Sequence, residues 1–133
     1  MLYQKNLVWL AALVYSVFLP LQTGTIWFYT GLSLFIIGLI IMAIATFDFI
    51  TTPVEQMIKK GTYKFSRHPM YLATFFICLG AGIAALSWLF ILLSLIMVYC
   101  FHQEALLEER LCLEKYSDYQ EYMNRVPRWI GLP

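Results

Sequence analysis

Several side chains that can bind a charged ligand lie close together in the sequence, where a polar stretch of the chain meets an apolar run. Arg67, His68 and Tyr71 surround Pro69, and proline is favoured in the first turn of a helix. The pattern therefore predicts a helix that begins at Pro69, with a guanidinium, an imidazole and a phenol at its start. The two basic groups can meet an anion, and the tyrosine ring can contact a cation or an aromatic group.

A second group of ionisable side chains follows the last apolar run. Glu104 and Glu108 are four residues apart, on one face of a predicted helix, and Glu109 is adjacent to the second of them. Two carboxylates on one face repel each other unless a cation lies between them. Arg67 could be that cation, or a sulfonium or ammonium ligand could bind there.

Metal and covalent chemistry have little support in the sequence. The two histidines, His68 and His102, do not have ligand spacing. Cysteine occurs three times, at Cys78, Cys100 and Cys112, and this spacing fits no metal motif. No serine or cysteine triad stands out. We therefore expect no metal, and a site that binds and aligns its ligands.

Composition indicates a membrane protein. Hydrophobic residues make up 61% of the 133 residues and charged residues only 13%. A soluble domain of this size could not bury so much apolar surface, so the lipid bilayer is the expected solvent and partner. The net charge is +1 and no basic patch is interleaved with aromatic residues, which argues against a nucleic-acid partner.

The apolar runs predict an all-α, polytopic fold. Serine and tryptophan near 84–88 interrupt the third run and divide it into a helical hairpin. Gly31 and Gly38, seven residues apart on one face, predict close helix packing. A short interfacial helix is expected over 54–60, and an amphipathic helix after the last span. The four spans are expected at about 5–22, 26–47, 69–85 and 87–103, within a single domain over 1–133.

Charge predicts the orientation of these spans. With four crossings, all nine basic residues fall on one side of the membrane, which the positive-inside rule makes cytoplasmic. Both termini and the polar regions 52–71 and 102–130 would then be cytoplasmic. We expect a multi-pass protein of a bacterial or archaeal inner membrane.

Two motifs resemble those of a known superfamily. The first is Gly61-Thr62-Tyr63 followed by Arg67-His68-Pro69-Met70-Tyr71. The second begins at Glu108-Glu109, continues through Leu113, Tyr116, Tyr119 and Tyr122, and ends at Val126-Pro127-Arg128. Together they resemble the signature of the isoprenylcysteine carboxyl methyltransferase and phospholipid methyltransferase superfamily, over roughly 52–130.

The resemblance implies an integral membrane methyltransferase that uses S-adenosylmethionine and a lipophilic or small-molecule acceptor. The candidate catalytic residues are Arg67, His68 and Glu104. Those that the resemblance implies for cofactor binding are Gln56, Met57, Ile58, Tyr63, His68, Pro69, Met70, Tyr71, Glu108 and Glu109.

One position departs from the pattern of this superfamily. The eukaryotic carboxyl methyltransferases have a substrate-contacting arginine one turn before the first glutamate, and this chain has Glu104 there. A carboxylate acceptor would meet a negative group at that point. An amine, a thiol or a small lipophilic acceptor therefore fits at least as well as a prenylcysteine carboxylate.

Two other functions remain open from the sequence. A membrane reductase using NADPH belongs to the same broad fold relationship, but it needs a basic cluster for the 2′-phosphate, which the sequence lacks. A four-helix transporter or assembly subunit is the non-enzymatic alternative. Small multidrug transporters place an acid in the first span, and this first span has none. The oligomeric state does not follow from the sequence.

Overall fold

The computed structural model describes Ala11, Val14, Tyr15, Phe18 and residues 20–131. Within that part of the chain every regular element is helical, so the all-α prediction is confirmed there. A 3-10 helix lies at Gly61–Lys64. Within residues 20–131 the α-helices are α1 (Ile26–Ile50), α2 (Pro69–Ala84), α3 (Trp88–Lys115) and α4 (Tyr119–Arg125).

Two of these helices, α1 and α3, are long and apolar enough to cross a membrane, judged by length and composition. Helix α2 is apolar but has only 16 residues. It extends about 24 Å, against roughly 30 Å for the hydrocarbon core of a bilayer. The first predicted span, 5–22, lies mostly outside the described residues. The four-span topology therefore stays a prediction.

Close backbone contact joins α1 to α2. A Cβ atom added to Gly31 would lie 2.4 Å from the carbonyl oxygen of Gly80, and one added to Gly38 would lie 2.9 Å from that of Ala73. Only glycine permits such an approach, because the opposing atoms are backbone and cannot move aside. The prediction of close packing through Gly31 and Gly38 is confirmed.

A tight turn at 85–87 separates α2 from α3, at the predicted break. Leu86 has a positive φ of 49°. Ser87 caps α3, since its hydroxyl accepts a hydrogen bond from the backbone N–H of Phe90 at 3.3 Å. The serine that interrupts the apolar run is therefore the residue that starts the next helix.

The structure differs from the sequence prediction at 54–60, where no helix forms. The backbone N–H of Gln56 bonds to the carbonyl of Pro53 at 2.9 Å, and this single turn does not continue. The carbonyl of Val54 instead accepts from Lys115 Nζ at 3.0 Å and from the Tyr116 hydroxyl at 3.2 Å. Long-range side-chain bonds replace the helical bond that the local sequence favours.

The prediction of a single amphipathic helix after the last span is also wrong, because the structure has two separate helices there. Helix α3 carries the charged sequence as far as Lys115, and the backbone then turns extended at Tyr116. Helix α4 follows as a separate element. The break lets Tyr119 and Tyr122 fold back and form a small buried cluster with Val126.

Candidate functional site

A cavity of about 560 Å³ lies beside the charged end of α3. The irregular segment 52–58, the 3-10 helix, the start of α2, the end of α3 and α4 all contribute to its wall. The predicted site residues that line it are Gln56, Met57, Ile58, Tyr63, Arg67, His68, Met70, Tyr71 and Glu108.

His68 is held between two carboxylates. Its Nδ1 lies 3.3 Å from Oε2 of Glu108, and its Nε2 lies 3.2 Å from Oε1 of Glu109. The imidazole is buried and stacks on the Tyr71 ring, with centroids 5.7 Å apart and planes inclined by 16°. The Tyr71 hydroxyl donates a hydrogen bond to Glu108. These contacts fix the orientation of the imidazole at the cavity wall.

Glu109 is buried and makes the densest set of charged contacts in the site. Arg128 binds it with two parallel hydrogen bonds, from Nε to Oε1 at 2.9 Å and from Nη2 to Oε2 at 2.7 Å. Nη1 of Arg67 lies 3.5 Å from Oε1. The hydrogen bond to Glu109 raises the pKa of the Arg128 guanidinium. Arg128 therefore stays charged and neutralises the buried acid.

Arg67 has unused hydrogen-bonding capacity. Only 8% of its side chain is exposed, and among the described residues its Nε and Nη1 atoms have no hydrogen-bond partner. A buried guanidinium with unsatisfied donors is unfavourable, because each lost bond to water is uncompensated. Arg67 lines the cavity, so an anionic group that reached these nitrogens would supply the missing acceptors.

Tyr63 reaches the cavity from the 3-10 helix. Its backbone carbonyl accepts a 2.6 Å hydrogen bond from the Tyr122 hydroxyl, which ties this helix to α4. Burial, together with the negative charges of Glu108 and Asp48, raises the pKa of Tyr63 to about 12. The phenol is therefore neutral at physiological pH and presents an aromatic face beside a carboxylate.

Three predicted site residues do not line the cavity. Pro69 is buried as the first residue of α2, and Glu109 lies behind His68. Glu104 lies one turn before Glu108 on α3, off the wall. The wall also contains residues that the sequence analysis did not assign to the site: Phe49, Thr52, Pro53, Val54, Cys112, Lys115, Tyr116, Tyr119 and Tyr122.

A usable signal existed for some of the missed residues. Tyr116, Tyr119 and Tyr122 recur at a spacing of three within the second motif, and Arg128 ends that motif. Their place in the motif was visible, but their contacts were not. Phe49, in the last turn of α1, and Thr52, just after that helix, carried no such signal, because neither belongs to one of the two motifs.

Comparison with known proteins gives matches to a methyltransferase family. The family model described as "Phospholipid methyltransferase" matches residues 26–119. Protein-S-isoprenylcysteine O-methyltransferase of Saccharomyces cerevisiae is 32% identical over 79 residues, which cover 58% of this chain and 32% of the yeast protein.

The chain belongs to the phospholipid methyltransferase family, and the predicted superfamily is confirmed. The aligned region spans about a third of the length of the yeast relative. No solved structure gives a significant match. Together with the two apolar helices, the family indicates a membrane protein.

Proposed function

We propose that this protein transfers a methyl group from S-adenosylmethionine to a small or lipophilic acceptor at the cytoplasmic face of the membrane. The observation that carries the proposal is that Arg67, with unsatisfied donors, and the Glu108 carboxylate lie on the same cavity wall. The chain also belongs to a methyltransferase family. A ligand with both a negative and a positive group matches that wall.

The residues present fit this cofactor. Arg67 would hold the carboxylate of the cofactor, because two of its buried guanidinium nitrogens lack hydrogen-bond partners. Glu108, whose side chain is about half exposed, would hold its ammonium group. The rings of Tyr63 and Tyr71 suit its adenine or its sulfonium. A volume of about 560 Å³ is within the usual range for cofactor sites.

When bound, S-adenosylmethionine supplies a methyl group on a positively charged sulfur. The protein then has to align the reacting groups and exclude water. Alignment alone can raise the reaction rate by many orders of magnitude without a covalent nucleophile. His68 is fixed by carboxylates at both ring nitrogens and by the Tyr71 ring, so it presents a rigid wall. Met57, Ile58 and Met70 contribute apolar surface that keeps water out.

The membrane arrangement is part of the same proposal. Four spans with both termini in the cytoplasm would open the cavity to a water-soluble cofactor, while the acceptor would arrive from the bilayer. Glu104, one turn before Glu108 on α3, lies toward the apolar part of that helix. It would face the acceptor side and favour an amine, a thiol or a neutral lipophilic group over a carboxylate.

The direct test is calorimetric titration of the purified protein, in detergent, with S-adenosylmethionine and separately with NADPH. Replacing Glu108 by Gln removes the charge at constant volume, and replacing Arg67 by Gln removes the guanidinium whose Nε and Nη1 atoms have no hydrogen-bond partner. A hydrogen bond to a charged group contributes about 1.5–3 kcal/mol, so each change should weaken cofactor binding roughly 10- to 150-fold.

The control is Arg125→Gln, because Arg125 pairs with Glu121 on the exposed surface of α4 and does not line the cavity. That variant should bind the cofactor like the parent. Well-folded parent protein that binds no S-adenosylmethionine, or that binds NADPH in its place, would refute the proposal. Transfer of labelled methyl to matched amine, thiol and carboxylate acceptors on one lipid chain would then identify the acceptor class.

A further inference from the structure

Two charged residues contact the site from behind its wall. Neither Glu109 nor Arg128 lines the cavity, yet Glu109 contacts both His68 and Arg67, which do. Glu109 is only 3% exposed. The pair is thus shielded from a ligand in the cavity and can influence it only through other side chains.

One oxygen atom joins these side chains. Oε1 of Glu109 lies 2.9 Å from Arg128 Nε, 3.2 Å from His68 Nε2 and 3.5 Å from Arg67 Nη1. The second hydrogen bond, from Arg128 Nη2 to Oε2, fixes the plane of the carboxylate. A bidentate arginine pair sets geometry in a way that a single point charge cannot. The position of Oε1 therefore sets where His68 and Arg67 point.

The backbone around Arg128 is hydrogen-bonded to Ser66 and Arg67, next to the same carboxylate. Arg67 donates its backbone N–H to the carbonyl of Pro127 at 3.0 Å. The hydroxyl of Ser66 donates to the carbonyl of Arg128 at 3.0 Å and accepts from the backbone N–H of His68 at 3.3 Å. The segment 126–129 is thus bonded to the backbone N–H of Arg67 and to the hydroxyl of Ser66, while the Arg128 side chain binds Glu109.

We propose that Arg128, acting through Glu109, is a positioning residue that holds His68 and Arg67 in their cofactor-binding orientation. The inference rests on the proposed cofactor function. It separates the two adjacent glutamates: Glu108 faces the ligand, and Glu109 faces the protein. Without Arg128, the buried Glu109 carboxylate loses its bidentate partner and turns more fully to Arg67, whose free donors the ligand needs.

The test is a double-mutant cycle on cofactor affinity, with Arg128→Gln, Glu109→Gln and the double variant in the full-length chain. Each single substitution should raise the dissociation constant for S-adenosylmethionine at least tenfold. The double variant should be no weaker than the weaker single variant, because both changes disrupt one unit. Arg128→Lys should recover only part of the loss, since an ammonium group cannot bind both oxygens in plane. Arg125→Gln remains the control.

A second readout follows the His68 ring without any ligand. The chain has two histidines, so ¹⁵N-histidine labelling gives two sets of ring resonances, and His102→Gln assigns them. Arg128→Gln should move the His68 ring-nitrogen resonances in the cofactor-free protein, while Arg125→Gln should not. If the parent binds no cofactor, the proposed function fails, and the His68 resonances alone decide the positioning role.

Two results would overturn the inference. In the first, Arg128→Gln lowers the unfolding temperature but leaves the dissociation constant and the His68 resonances at parental values, which makes Arg128 purely stabilising. In the second, Arg128→Gln weakens binding while Glu109→Gln does not, which means that Arg128 acts on the ligand without Glu109.

Discussion

Gly61 is the point at which a single methyl group should do the most damage to the region around the cavity. Its φ is +55°, and a Cβ atom there would lie 1.9 Å from Oδ2 of Asp48. That oxygen accepts the backbone N–H of Thr62 at 3.2 Å, so the carboxylate cannot move without losing this bond. The left-handed conformation costs a non-glycine residue about 1–2 kcal/mol, and a hydrogen bond to a charged group contributes about 1.5–3 kcal/mol. Gly61→Ala should therefore destabilise the protein by about 2.5–5 kcal/mol.

The measurement is equilibrium unfolding in mixed detergent micelles, followed by tryptophan fluorescence. Gly24→Ala is the matched control, because Gly24 also has a positive φ, of +82°, but nothing lies within 4 Å of an added Cβ. It should lose only the conformational part, about 1–2 kcal/mol. Equal losses at Gly61 and Gly24 would refute the reasoning, since the collision with Asp48 would then contribute nothing. Asp48→Ala should cost less in the Gly61→Ala background than in the parent, because the colliding carboxylate is already displaced.

Three further predictions concern packing, ionisation and the irregular segment. Gly80→Ala places a Cβ 2.6 Å from backbone atoms of α1, so it should lower the free energy of unfolding by about 1–3 kcal/mol. Gly24→Ala is again the control. Tyr63 should ionise at about pH 12 instead of 10.0, visible as the difference in tyrosinate absorbance between the parent and Tyr63→Phe. Because the folded pKa is raised, its contribution to stability is complete below pH 10 and is lost as the pH rises through 12. Tyr116→Phe removes one of the two hydrogen-bond donors to the Val54 carbonyl, so it should speed cofactor release in stopped-flow experiments. An unchanged release rate would show that the irregular segment 52–58 does not cover the site.

Regular helices were predictable because their signals are local. Ser87 marks a helix start by its own capping chemistry, and Gly31 and Gly38 mark a contact by their shared face. The segment at 54–60 was not predictable, because its backbone partners come from Lys115 and Tyr116, about sixty residues away. No local pattern reports a carbonyl that is bonded by a distant side chain.

Half of the residues that line the candidate site were also predictable from the sequence, as a set. Nine of the predicted positions line one cavity, since the two motifs meet where α2 starts and α3 becomes polar. The division of labour among them was not visible. Glu108 and Glu109 are neighbours of the same type, and only the fold shows that Arg128 binds one of them. Phe49 and Thr52 were also not predictable, because they lie outside both motifs.

Charge balance explains why the paired glutamates differ. Two guanidinium groups, Arg67 and Arg128, face two carboxylates, and Arg128 is fully committed to Glu109 by its two bonds. Of these four groups, one guanidinium with free donors and one half-exposed carboxylate remain for a ligand, a pair of opposite charges on one wall. A zwitterionic group matches that pair without leaving a net buried charge, whereas a dianion would meet Glu108 and a simple cation would leave Arg67 unsatisfied. The extra positive charge on the sulfonium of the proposed cofactor would then contact the aromatic rings of Tyr63 and Tyr71, whose faces attract cations without adding another carboxylate.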